Sequence, residues 1–168
     1  MKVYLVGYMY SGKTTVGRQL AAQLGMEFMD LDQAFEQKYK TTIPIFFKKY
    51  GEPLFRQLES KLLQSTADLD NVVVSTGGGT PCYLDNMACI NQLGVSVYLD
   101  VPLESILQRM AKSRKQRPIL AGMTLGEKQQ FVSNQLQARQ AFYRQARLSF
   151  PAADPDIAAL AEAVKNSL

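Results

Sequence analysis

Gly7-Tyr8-Met9-Tyr10-Ser11-Gly12-Lys13-Thr14 follows the apolar run Val3-Tyr4-Leu5-Val6 and precedes a stretch from Thr15 to Leu24 that reads as a helix. The octet fits G-x-x-x-x-G-K-[ST]. A strand that breaks into a glycine-bounded loop and then a helix leaves backbone N–H groups unpaired and turned inward, where they can bind the phosphates of a nucleotide. Gly7, Tyr10, Ser11, Gly12 and Thr15 then belong to the cradle. Lys13 reaches the β- and γ-phosphates and the Thr14 hydroxyl offers a ligand to Mg²⁺. The strand before and the helix after separate this octet from an ordinary glycine-rich turn.

Outward from the loop, composition narrows the chemistry. The 168 residues suffice for one well-buried domain. Lys and Arg total 19 against 15 Asp and Glu, a net charge of +4, which suits an enzyme that handles anions as well as it suits a nucleic-acid binder. Histidine is absent, so Ser-His-Asp and Cys-His catalysis and His-ligated zinc are excluded, leaving carboxylates, Arg and Lys to do the chemistry. Cys82 and Cys89 form neither a CxxC nor a second pair, so reduced thiols and a cytoplasmic location are expected. No uncharged apolar stretch approaches the ~18–20 residues that span a bilayer, and neither a membrane nor a nucleic-acid partner is expected.

Strand and helix patterns alternate along the chain. Gly25 closes the first helix, and a short strand from Glu27 is expected to carry Asp30 and Asp32 at its end. Helical patterns follow at 33–39, at 42–47 with a tolerated early proline, and at 52–67. The β-branched runs Asn71–Ser75 and Val95–Leu99 read as strands of a parallel sheet covered on both faces. Helices are expected at 103–112, 124–146 and 156–166, with a short strand near 148–150. In such a sheet ligands sit at the carboxyl ends of the strands, where the phosphate loop, the two aspartates and Gly77-Gly78-Gly79 all fall. Asp100 ends a strand in the manner of a Walker-B acid, but Pro102 and a helix follow, so it is read as support for that turn or cap.

Over residues 2–147 the chain resembles shikimate kinase. The resemblance rests on the phosphate loop, Asp30-x-Asp32, Gly51-Glu52-x-x-Phe55-Arg56-x-x-Glu59, the triple glycine 77–79, Arg117-Pro118-Ile119-Leu120, and Arg139 followed by Tyr143. It implies an α/β single-domain P-loop kinase over 1–168, with a five-stranded parallel sheet, helices on both faces, a mobile lid at about 110–124 and a substrate-binding helical region at about 33–60. The implied reaction moves the γ-phosphoryl of ATP to the 3-hydroxyl of shikimate, with Mg²⁺, in the route to aromatic amino acids. Shikimate and ATP are the expected partners and a monomer the expected state.

The resemblance also implies roles. Asp30 lies near the metal with Thr14. Asp32 binds substrate hydroxyls and takes the proton of the attacking one, a task a carboxylate suits because positioning dominates phosphoryl transfer. Arg56 and Arg139 hold the substrate carboxylate, since planar guanidinium forks orient that group as lysine cannot. Gly77, Gly78 and Gly79 let backbone approach the substrate closely. Arg109 lies near the adenine, and Arg117, in a basic cluster with Lys112, Arg114 and Lys115, contacts the phosphates. Lys13, Asp32 and Arg117 are thus the expected catalytic residues. Family members commonly carry glycine where this chain has Tyr10, and a tyrosine disfavours the positive φ a glycine permits. The segment 149–155 departs from the usual adenine-capping pattern. Two other readings stay open: another small-molecule kinase of this fold, of the gluconate type, or a nucleotide-binding regulator without turnover.

Overall fold

Tyr4, Leu5 and Val6 are wholly buried in β1 (Lys2–Val6), the strand from which the phosphate loop leaves. The computed structural model describes residues 1–113 and 117–168. Within them β1 is the middle of a five-stranded, all-parallel sheet with β2 (Glu27–Asp30), β3 (Val72–Ser75), β4 (Val95–Asp100) and β5 (Leu148–Pro151), in the order β2-β3-β1-β4-β5. Every residue of β3, and β4 from Val95 to Leu99, is buried, because helices cover both faces and neither face is left to solvent. Leu5 pairs with Ser75 of β3 on one side and Val97 of β4 on the other. The loop after β1 therefore lies beside the loop after β3, at the point where the strand order reverses.

Eight helices are found among the described residues: α1 (Lys13–Leu24), α2 (Leu31–Tyr39), α3 (Ile43–Tyr50), α4 (Glu52–Ser65), α5 (Asn86–Leu93), α6 (Leu103–Lys112), α7 (Leu125–Tyr143) and α8 (Ile157–Asn166). Their ends follow local chemistry. Gly25 closes α1 at φ 66°, and Thr42, Thr124 and Asp156 accept hydrogen bonds from the third residue onward, capping α3, α7 and α8. The helices α2 to α4 pack through an aromatic cluster of their own, with Phe35 4.9 Å from Phe55 and 5.2 Å from Phe46 between ring centres. That cluster packs the three helices of the 33–60 region onto one another.

Two expectations need correction, and one helix was not anticipated. β2 ends at Asp30 and α2 begins at Leu31, so Asp32 stands in the first turn of a helix and not on an extended strand. The polar side chain of Asp30 caps that helix and stops the strand early. Asp100 is exposed and does not cap α6, whose cap position is Pro102 with no side-chain bond. Helix α5 is short, and its apolar residues Met87, Ala88, Cys89, Ile90 and Leu93 run almost directly into the β4 run, which masks its period. No described helix is long and apolar enough to cross a membrane.

Candidate active site

The phosphate loop turns by way of three residues at positive φ: Gly7 at 155°, Tyr10 at 64° and Gly12 at 87°. Tyr10 keeps the left-handed conformation that glycine would adopt freely, despite its Cβ. Ser11 donates its backbone N–H to the Tyr8 carbonyl at 3.1 Å, closing the turn, and α1 starts at Lys13 with Thr14 and Thr15 in its first turn. The positive end of that helix faces the loop.

Lys13 is buried, and its ammonium donates to the carbonyls of Gly7 and Tyr8 at 2.7 and 2.8 Å. Burial lowers its pKa to about 7, and the Arg117 and Arg139 guanidinium groups add to that drop while Asp32 and Asp30 oppose it. The Thr14 hydroxyl donates to Asp30 Oδ2 at 3.0 Å, while Asp30 Oδ1 accepts from the Gln33 N–H at 3.1 Å. One carboxylate thus caps α2 and meets the loop threonine. Those two oxygens suit a hard cation that takes one or two protein ligands and fills its remaining positions with phosphate and water.

Asp32 lies against the turn after β3. A Cβ on Gly77 would stand 2.7 Å from Asp32 Oδ1 and 3.0 Å from Thr80 Oγ1, so a side chain there would displace the Asp32 carboxylate. Burial pushes the Asp32 carboxyl up to about 6, helped by the negative charges of Glu59 and Asp30 and resisted by Lys13 and Arg117. The next two positions are also close to site side chains. A Cβ on Gly78 would meet the Met9 N–H nitrogen at 3.3 Å and Arg139 Nη1 at 3.5 Å; one on Gly79 would meet Arg56 at 2.7 Å. The three glycines after β3 therefore face, in order, the carboxylate of α2, the guanidinium of α7 and that of α4.

The two arginines differ in their support. Arg56 donates to Glu59 at 3.0 Å and to Glu52 at 3.2 Å, and its guanidinium carbon sits 4.0 Å from the centre of the Tyr83 ring. Glu59, 3% exposed, also accepts from the Thr80 hydroxyl at 2.8 Å; burial raises its pKa, against the pull of Arg56. Arg139 lies 5.9 Å from the Tyr8 ring centre and, among the described residues, has no carboxylate within salt-bridge distance. Beside it Tyr143 donates to the Gly78 carbonyl and Tyr8 to Gln135 Oε1, both at 2.5 Å.

On the other flank Arg109 donates to the Tyr10 carbonyl at 2.9 Å and to the carbonyls of Ala152 and Ala153 at 2.9 and 3.0 Å. It ties the loop to the segment after β5. The Arg117 guanidinium lies 5.6 Å from the Tyr10 ring centre, and Arg114 and Lys115 of the basic cluster lie outside the described residues, as does part of the span expected as a lid. The site draws in Tyr8, Thr80, Tyr83 and Gln135, which the sequence did not single out. None belongs to a spacing pattern, and only the adjacency of Tyr8 to Gly7 and of Thr80 to Gly79 offered a signal.

The family model for shikimate kinase matches residues 9–168. Shikimate kinase from Parabacteroides distasonis is 40% identical over 151 residues, 90% of this chain and 87% of that protein. The crystal structure of shikimate kinase from Bacteroides thetaiotaomicron superposes with a TM-score of 0.92 at 37% identity, over 99% of this chain and 97% of the other. Shikimate kinase from Acinetobacter baumannii in complex with shikimate has a TM-score of 0.86 at 37% identity, over 98% of this chain and 90% of that one. With the phosphate loop, the triple glycine and the two arginines converging as described, this chain belongs to the shikimate kinase family.

Proposed function

We propose that the chain transfers the γ-phosphoryl group of ATP to the 3-hydroxyl of shikimate, giving shikimate 3-phosphate and ADP in aromatic amino acid biosynthesis. One observation carries the assignment of the site: Asp32, Arg139 and Arg56 stand against three consecutive glycines in the turn beside the phosphate loop. A ring acid with several hydroxyls and one carboxylate matches that set. Arg139 and Arg56 hold the carboxylate, Arg56 with its orientation fixed by Glu59. Asp32, with a pKa of about 6, is ionised near neutral pH and accepts the proton of the attacking hydroxyl. That oxygen bonds to the γ-phosphorus as the bond to the β-bridging oxygen breaks, and ADP leaves.

The backbone N–H groups of residues 12–15 and the Lys13 ammonium hold the phosphates, and Arg117 neutralises charge on the transferring group. Thr14 and Asp30 would hold Mg²⁺, whose chemistry when bound is to neutralise charge shared by the β- and γ-phosphates. The expected state is a monomer acting on small molecules. Two free cysteines are compatible with a reducing cytoplasm. ADP release measured against a panel of hydroxy acids tests the reading. Turnover with shikimate and none with gluconate is expected; turnover with gluconate alone, or ATP binding with no acceptor phosphorylated, would overturn it.

A further inference from the structure

Tyr10 is a costly residue in its place. A non-glycine residue at φ 64° persists only where its surroundings over-determine it, and such residues gather at functional sites. Here two arginines about a hundred residues further along the chain do so. Arg109, on α6, donates to the Tyr10 carbonyl at 2.9 Å and fixes the main chain. Arg117 lies over the ring face at 5.6 Å. The charge of Arg117 also bears on both Lys13 and Asp32, lowering the pKa of each, so the guanidinium that meets the ring also faces the centre of the site. Glycine would satisfy the turn without strain but would offer Arg117 no surface.

The geometry points to Tyr10 as a positioning residue: its ring is a platform that holds the Arg117 guanidinium over the phosphate loop, in exchange for backbone strain that a glycine would avoid. This deepens the phosphotransferase reading and rests on it. The attraction is that of a cation for an aromatic face, at a site where Arg117 is exposed. It acts on an arginine that serves the transferring phosphoryl, so its loss is read in kcat, and the acid-binding residues on the far side of the triple glycine are untouched.

The test uses the full chain with Mg-ATP and shikimate. Tyr10→Leu, which keeps bulk and strain but has no π-face, lowers kcat by about two- to five-fold, with KM for shikimate unchanged. Tyr10→Phe restores the wild-type kcat. Tyr10→Gly shows the same loss of kcat together with a Tm equal to or above that of the wild type, a pairing that a merely structural role would not give. In an Arg117→Ala background Tyr10→Leu has no further effect on kcat or on the Kd of a non-hydrolysable ATP analogue, as a double-mutant cycle requires of two residues acting as one. Full activity in Tyr10→Leu or Tyr10→Gly, or an undiminished loss in the Arg117→Ala background, would overturn the inference. Wild-type protein that turns over no shikimate would instead overturn the phosphotransferase reading.

Discussion

The phosphate loop is shaped by its main chain, with Gly7, Tyr10 and Gly12 at positive φ and one lysine bonded to the loop's own carbonyls. The acid side is built from side chains of α2, α4 and α7, each pressed against one of three glycines that supply space and no functional group of their own. On the first side, backbone geometry carries the binding and a short stretch of sequence specifies it. On the second, residues more than a hundred positions apart must be brought together by the sheet. Damage to the two sides should therefore be separable.

Lys13→Met tests that separation most severely. Removing one preorganised donor to the transferring group costs about 10²–10³ in kcat, or about 3–4 kcal/mol. The Kd for shikimate, measured by calorimetry without nucleotide, should not move. Stability should rise or hold, because the burial that lowers the lysine pKa is a cost of keeping an ammonium there. A variant that lost shikimate affinity as well would show the two sides to be one mechanical unit.

Arg139→Ala and Arg56→Ala come next, each raising KM for shikimate by about 1.5–3 kcal/mol, the worth of a hydrogen bond to a charged group, with KM for ATP unchanged. They should part company in the melt. Arg139 has no carboxylate partner among the described residues, so its loss leaves Tm nearly unchanged, whereas loss of Arg56 strands Glu59, 3% exposed, and costs about 1–3 kcal/mol of stability. Equal KM effects on both substrates would contradict the carboxylate assignment.

The same contrast explains what the sequence revealed. The phosphate cradle, the capped helices and the β-branched central strands are local, so periodicity and punctuation expose them. Asp32 was legible as a residue but not as a helix residue, since the strand stops where the Asp30 side chain caps α2, and an Asp-x-Asp pair reads equally well as a strand end. Arg56 and Arg139 look like solvated helix charges until the turn at 77–79 places Gly79 and Gly78 against them. The resemblance to a family, not spacing, named them in advance. Tyr8, Thr80 and Tyr83 stayed hidden because their roles exist only through contacts between the loops after β1 and β3 and the helices α4 and α7.

Asp32→Asn connects activity and stability through pH. The folded carboxyl titrates near 6 against an ordinary 3.8, so between those values the folded state binds more protons than the unfolded one. Its contribution to stability accordingly falls as pH rises through that window, and the cost is fully present above 6. Asp32→Asn should lose activity yet melt higher than the wild type at pH 7, with the gain disappearing below pH 4. In the wild type, kcat/KM should decline as pH drops through about 6. An acid limb near 4, or a variant that melts lower at pH 7, would remove the buried-base interpretation.

Proton counting gives the smallest signal and the sharpest contrast. With its pKa lowered to about 7, Lys13 is largely neutral at pH 8, and its contribution to stability rises with pH from about 7 towards 10.5 as the unfolded state holds the extra proton. A triphosphate beside it favours the charged form, so ATP binding at pH 8 should take up close to one proton. Calorimetry in two buffers of different ionisation heat reads this directly, and Lys13→Arg should abolish it. Shikimate binding at the same pH should take up none, because both arginines are already charged and Asp32 is already ionised. Proton uptake on the acid side, or none on the nucleotide side, would mean that the buried charge of this site sits with the ring acid and not with the phosphate loop.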